Sequence, residues 1–391
     1  MPSCPVSTDE LVLSALHSMR TLVGMEVAFV SQFRRGRRIF RYVEPEDNPV
    51  ALQVGDSDPL DESYCYRIAT GKLPELMHDA RLLDATQDIA ATLALPVGAH
   101  LSVPIRLSNG DVYGEFCCFS RTADPTLDAR DVETMRCFAD ITAKFIEHQA
   151  REEQRRDELL ARHTEMLQAQ RFSIVYQPIV HLVSGRVVGY EALTRFLAEP
   201  VRTPDVWFAE AAEIGLQQAL ESAVLAKALS QLARLPAATY LSINASPETV
   251  LAGALQQAVE DFPLERIVLE LTEHALVHDY PGIEEALSPL RARGLRLAVD
   301  DAGAGFASFR HIVELRPDII KLDNSLIRQI DMHQGYRALA DALIHFAHQT
   351  GSVVIAEGVE TQAQQTILKS LQADEAQGYL LGRPAPIETI V

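Results

Sequence analysis

Asp300 and Asp301 stand side by side after an alternating run in which Leu295, Leu297 and Val299 are separated by Arg296 and Ala298. The alternation predicts a short buried strand. Adjacent carboxylates at a strand end repel each other and lose solvation when buried. A divalent cation relieves both penalties, because carboxylate oxygens are natural ligands of hard ions such as Mg²⁺ or Mn²⁺. Gly303 and Gly305 follow, giving a loop that can turn tightly and admit a ligand. Alone, this stretch reads better as a solvated Asp-Asp-x-Gly turn, which is common.

Other short apolar runs end in the same way. Tyr240-Leu241-Ser242-Ile243 ends at Asn244, and Ile267-Val268-Leu269 carries Glu270. Ile319-Ile320 carries Lys321, Val353-Val354-Ile355-Ala356 carries Glu357, and Ala376 precedes Gln377. These positions are roughly 20 to 36 residues apart, about one strand-plus-helix unit, so the run from 171 to 391 predicts an α/β barrel with its active site at the strand ends. Single buried charges on successive strands have no structural use. Brought together on one rim, they make a metal site.

The elements that carry these residues occupy only part of the chain. With 391 residues, 47% of them apolar, it is long enough for two domains. A net charge of −19 argues against a general nucleic-acid or membrane-surface binder, which would carry a basic face. An anionic substrate would then be held by metal ions or a few local cations. No apolar run is long enough to span a membrane, and Met1-Pro2-Ser3-Cys4-Pro5 lacks the features of a signal peptide. Cys4, Cys65, Cys117, Cys118 and Cys137 have no metal-binding spacing and read as reduced thiols of a cytoplasmic protein.

Residues 1–130 read as a small α+β domain. Leu11, Leu13, Leu16, Met19 and Leu22 suggest a first amphipathic helix, followed by a strand near Val27 to Phe33 and a turn at Arg34 to Arg38. A second hairpin runs from His100 to Leu107, turns at Asn109-Gly110 and returns from Val112 to Phe119. Cys117 and Cys118 would face opposite ways there, as small buried apolar residues. Cys65 and His100 can be read as pigment or haem ligands, but packing is the stronger reading. From 131 to 170 the chain has neither proline nor glycine and predicts one long helix. Val132, Met135, Phe138, Ile141 and Phe145 form a packed stripe on its first half. Its second half is charged, which suits a solvated linker or a paired signalling helix.

Two resemblances sharpen this reading. Ser63-Tyr64-Cys65, Gly71-Lys72-Leu73-Pro74, His78-Asp79-Ala80-Arg81 and Val103-Pro104-Ile105 with Gly114 loosely resemble a GAF domain, a small-molecule sensor fold. Residues 171–391 resemble the EAL-type cyclic-di-GMP phosphodiesterases. The motifs are Tyr176-Gln177-Pro178, Glu191-Ala192-Leu193-Thr194-Arg195, Asn244-Ala245-Ser246-Pro247, Glu270-Leu271-Thr272-Glu273, Asp300-Asp301-Ala302-Gly303, Lys321-Leu322-Asp323, Glu357-Gly358-Val359-Glu360 and Gln377-Gly378-Tyr379. One such tripeptide carries no weight; the full ordered set does.

The resemblance implies a (β/α)8 TIM-type barrel with one antiparallel strand, and hydrolysis of cyclic di-GMP to linear pGpG with two divalent ions, Mg²⁺ or Mn²⁺. It implies that Glu191, Asn244, Glu270 and Asp300 hold the first ion, with Asp300 bridging to a second completed by Asp301 and Glu357. Lys321 would orient the attacking water, and Glu191 and Glu357 would serve both metal and catalysis. Gln177, Leu193, Arg195, Asp323 and Gln377 would contact the nucleotide. Glu273 and Glu360 would position loops, or form surface ion pairs. Ala302 and Ala304 replace the family's usual Phe and Thr, and Trp207-Phe208 and Ala212 also depart from its pattern; none of these removes a ligand. The expectation is a phosphodiesterase, homodimeric through its sensor and connecting helix, and the alternative is a catalytically silent cyclic-di-GMP receptor.

Overall fold

The computed structural model describes residues 7–89, 97–271, 279–302 and 306–390, without the side chains of 301 and 306–309. The chain divides into two compact units, Met1–Asp157 and Glu158–Val391.

The first unit is built on a six-stranded antiparallel sheet. Its strands are β1 (Val27–Arg34), β2 (Arg37–Glu44), β3 (Ser57–Pro59), β4 (Leu76–Met77), β5 (His100–Arg106) and β6 (Val112–Phe119), in the order β3-β2-β1-β6-β5-β4. Both expected hairpins are present, β1 with β2 and β5 with β6. The helix Thr8–Val23 starts at a capping box between Ser7 and Glu10, so its first backbone donors are satisfied without water. The sheet buries both faces. Cys118 joins Leu16, Met19, Leu101 and Met135 on one, and Cys117 joins Phe29, Phe40, Tyr64 and Cys65 on the other. The two cysteines therefore point apart, as the strand's two-residue period requires.

The expected long helix spans Ala129–Gln168. Residues 151–158 are exposed, as their charge pattern predicts. Its end is not solvated, however. Leu159, His163 and Met166 are buried, and His163 Nε2 lies 3.2 Å from the Trp207 carbonyl. One face of those last turns therefore packs in the second unit despite its sparse apolar content.

The second unit is a closed barrel of eight strands: β7 (Phe172–His181), β8 (Val187–Phe196), β9 (Tyr240–Ala245), β10 (Ile267–Leu271), β11 (Arg296–Ala302), β12 (Ile319–Leu322), β13 (Val353–Ala356) and β14 (Glu375–Ala376). Strand β7 is antiparallel to both of its neighbours, β8 and β14, and every other adjacent pair is parallel. Alternation sorts the side chains into layers. Ile179, Tyr240, Val268, Ala298, Ile319 and Ile355 fill a packed apolar layer. Two residues further along β9, β10, β11 and β12 come Ser242, Glu270, Asp300 and Lys321. Gly189 on β8 is required by close packing here, since a Cβ would lie 2.4 Å from the Tyr240 ring. Tyr240 in turn donates to Glu375 at 2.6 Å.

Candidate active site

Lys321 is the centre of the polar layer. Its side chain is 1% exposed, with Nζ 2.6 Å from Glu357, 2.7 Å from Glu270, 3.4 Å from Asp300 and 3.8 Å from Glu191. Each partner comes from a different strand or strand end, so only the closed barrel assembles them. Burial alone would depress the Lys321 pKa, but the charges of Asp300, Glu191, Glu270 and Glu357 hold it well above its ordinary value. It is a fixed cation. Burial also pushes the Glu270 carboxyl well above its usual range, and the neighbouring Glu191 and Asp300 add to the rise. Glu357 is raised likewise, by burial first and then by Asp300 and Glu191.

Hydrogen bonds fix the remaining groups. Ser242 Oγ donates to Glu270 at 2.5 Å, and Asn244 Nδ2 donates to Glu191 at 3.3 Å. Gln377 Nε2 donates to Glu191 at 2.5 Å and to Gln177 Oε1 at 3.0 Å, while Gln177 donates to the Gly382 carbonyl at 3.1 Å. Gln377 Oε1 is left buried without a hydrogen-bond partner among the described residues. An acceptor in that state is set for a donor from a ligand or water.

The layer opens into a cleft of about 320 Å³. Gln177, Glu191, Leu193, Asp300, Glu357, Glu360 and Gln377 line it together with Asn324, Gly358, Gly378 and Tyr379. Gly378 is there because its Cβ would lie 2.2 Å from the Val359 backbone nitrogen. A second cavity of about 220 Å³ is lined by Leu193, Arg195, Phe208, Glu221 and Asn244, among others. Glu221 accepts from Ser246 N and Oγ, both at 2.9 Å, and so holds the turn that follows Asn244.

The structure thus gathers Glu191, Glu270, Asp300, Lys321, Glu357, Gln177 and Gln377, with Asn244 against Glu191. Arg195 lines the second cavity, where its guanidinium donates to the Thr194 carbonyl at 2.8 Å. Asp323 is the N-cap of the short helix Asn324–Ile327, accepting from Ser325 N at 2.9 Å. Its neighbour Asn324 lines the cleft instead. Glu360 is exposed at the cleft edge. The Asp301 side chain, Glu273 and the loop glycines Gly303 and Gly305 lie outside the described residues. Ser242 and Glu221 escaped the sequence reading. Ser242 was legible in principle, being two residues before Asn244 on one strand.

Among the described residues no three His, Cys, Asp or Glu side chains form a ready cation cage. The Lys321 ammonium occupies the space between them. The donor set nevertheless fits hard divalent cations: four carboxylates face a single ammonium, and no sulfur or imidazole is among them.

Residues 160–384 match the family model described as EAL domain. A cyclic di-GMP phosphodiesterase of Pseudomonas aeruginosa, PA2567, is 33% identical over 54% of this chain and 38% of its own length. NbdA, a cyclic di-GMP phosphodiesterase of the same organism, is 31% identical over 60% of this chain and 33% of its own length. The chain spans between 26% and 39% of the first curated relatives it matches. Among solved structures, a PaMucR phosphodiesterase–c-di-GMP complex aligns over 60% of this chain and all of its own, with a TM-score of 0.54 and 27% identity. The EAL enzyme Bd1971 aligns over 94% of this chain and 93% of its own with a TM-score of 0.58; at 19% identity this is a likeness of fold.

Proposed function

Because the chain belongs to the EAL domain family, we propose that it is a phosphodiesterase that hydrolyses cyclic di-GMP to linear 5′-pGpG. The observation that carries this reading is the buried Lys321 ringed by four carboxylates at the mouth of a closed barrel. A phosphodiester is anionic and repels nucleophiles, so its hydrolysis needs positive charge at the phosphate, an oriented water and a proton acceptor.

The chain has residues for each task. Lys321 supplies a permanent cation that four ion pairs hold in place, positioned to orient the water. Glu357 lines the cleft beside Lys321, where its carboxylate is placed to take the proton that the water sheds. Gln177, Leu193 and Gln377 contact the nucleotide in the cleft, and Arg195 offers its guanidinium from the neighbouring cavity. Glu191, Asn244, Glu270, Asp300, Asp301 and Glu357 would hold two divalent ions, Mg²⁺ or Mn²⁺. Those ions, when bound, neutralise phosphate charge and acidify a water. The first unit acts as a GAF-like sensor. The helix Ala129–Gln168 carries its state to the barrel in a homodimer.

Incubation of the full chain with cyclic di-GMP and Mg²⁺ or Mn²⁺, followed by separation of the nucleotides, tests the activity. Stoichiometric accumulation of pGpG is expected. Intact substrate under conditions where binding is demonstrated would replace the enzyme with a silent receptor.

A further inference from the structure

The first unit holds a charged group that its core packing does not need. Arg38, on β2, is 5% exposed, and Nη1 lies 3.1 Å from Cys65 Sγ. Asp58 pairs with the same guanidinium through Nε at 2.9 Å and through Nη2. Cys65 Sγ in turn lies 3.4 Å from Cys117 Sγ, and Ser102 Oγ lies 2.7 Å from Cys117 Sγ. Both cysteines are fully buried. Two thiols in contact beside a buried guanidinium differ from ordinary core cysteines. Cys118, next in sequence, packs on the opposite sheet face in an apolar cluster, and burial pushes its thiol up. For Cys65 burial also acts upward, but the Cys117 hydrogen bond and the Arg38 charge outweigh it and favour the thiolate.

We propose that Cys65 and Cys117 form a peroxide-oxidisable dithiol, a redox-modification site in the first unit that closes to an internal disulfide. Cys65 Sγ attacks one oxygen of a hydroperoxide: an S–O bond forms, the O–O bond breaks, and the departing oxygen leaves as water or alcohol after taking a proton. Cys117 Sγ then attacks the Cys65 sulfenic acid. The S–S bond forms, the S–O bond breaks, and the oxygen leaves as water with the second thiol proton. Two electrons pass from the sulfurs to the peroxide. The separation of 3.4 Å must shorten to the ~2.05 Å of a disulfide, a movement of little over one ångström between the helix Tyr64–Ala69 and β6. A cavity of about 40 Å³, room for about one small molecule, is lined by Arg38, Tyr64 and His100 among others, and so reaches the guanidinium that touches Cys65. Hydrogen peroxide fits that space, which makes it the oxidant of choice.

The test treats the reduced full chain with hydrogen peroxide, quenches it, denatures it and alkylates the remaining thiols. Of the five cysteines, two should become unreactive to the alkylating agent, with a mass loss of two hydrogens. Dithiothreitol should restore both, and digestion should yield one peptide joining Cys65 to Cys117. Cys65→Ser and Cys117→Ser should each abolish that cross-link, and Arg38→Gln should slow its formation at least tenfold. The wild-type peptide map decides the matter even where a variant fails to fold. Oxidation confined to the exposed Cys137, with Cys65 and Cys117 both still alkylated, would overturn the proposal. A cross-link from Cys65 to any other cysteine would overturn it as well.

Discussion

Replacing Lys321 by methionine keeps an unbranched side chain of similar reach, one atom shorter, and removes its charged end. The four carboxylates around it would then repel each other with no cation between them, at a position 1% exposed. Removing one partner of a buried ion pair costs ~3–5 kcal/mol. In a domain of this size each kcal/mol moves the melting midpoint by ~2–4 °C, so the barrel should melt roughly 6–20 °C lower in the presence of a chelator. Trp207 is the only tryptophan of the chain and is fully buried in the barrel unit, so its fluorescence reports that unit specifically. A divalent ion should then stabilise Lys321→Met more than the wild type, because it replaces the missing charge. At 100 times its dissociation constant a ligand adds ~2.7 kcal/mol, which would recover half or more of the deficit. Hydrolysis should stay low even with the fold restored. A variant that melts within 2 °C of the wild type in chelator, with the same Mg²⁺ response, would refute the electrostatic argument.

Three further outcomes follow from other parts of the structure. Glu115 is fully buried, and its carboxyl is raised well above the ordinary range by burial first and by Cys65 second. The native state therefore holds a proton that the unfolded chain releases, so this group's contribution is present at low pH and is lost as pH rises above ~4.5. Glu115→Gln should match the wild type near pH 4 and exceed it by ~1–3 kcal/mol at pH 8 in denaturant melts; equal stability at both pH values would count against it. Gly378→Ala would place a Cβ 2.2 Å from Val359 N and displace the turn beside Gln377. Hydrolysis should fall ~100-fold, as expected for a shift of about 1 Å at a site, and an unchanged rate would contradict the packing. Four glycines inserted after Gln154, in the exposed stretch of the long helix, should bring the full chain's rate to that of the isolated barrel unit. An unchanged full-chain rate, when the isolated barrel differs from it, would make the helix a tether only.

The sequence announced these features unequally. The strand-end acids were legible because a two-residue period carries Asp300 and Glu270 to the same face as the buried Ala298 and Val268. The central position of Lys321 was not, since ion pairs among five strands exist only once the barrel closes. Asp323 and Asn324 illustrate a finer limit. Both sit just past β12, and which of them lines the cleft depends on Asp323 capping the next helix, a local choice that a motif does not record. Arg195 follows the same rule from the other side: its motif is clear, but its backbone bond to Thr194 sets it in the adjoining cavity. Charge content misled at Leu159–Met166, where two apolar residues and a histidine suffice to pack a largely charged helix. In the first unit Cys65 and Cys117 were read as packing residues. Sequence spacing gives no sign that their sulfurs touch.

The central claim is that the Lys321-and-carboxylate cleft delivers water to a phosphodiester of cyclic di-GMP. Turnover in ¹⁸O-labelled water with Mg²⁺ or Mn²⁺, compared with Asp300→Asn at matched occupancy of cyclic di-GMP, tests it most directly. The account predicts pGpG with one ¹⁸O in its 5′-phosphate from the wild type and none above background from the variant. Equal turnover by the two, or bound cyclic di-GMP recovered intact and unlabelled from the wild type, would contradict it.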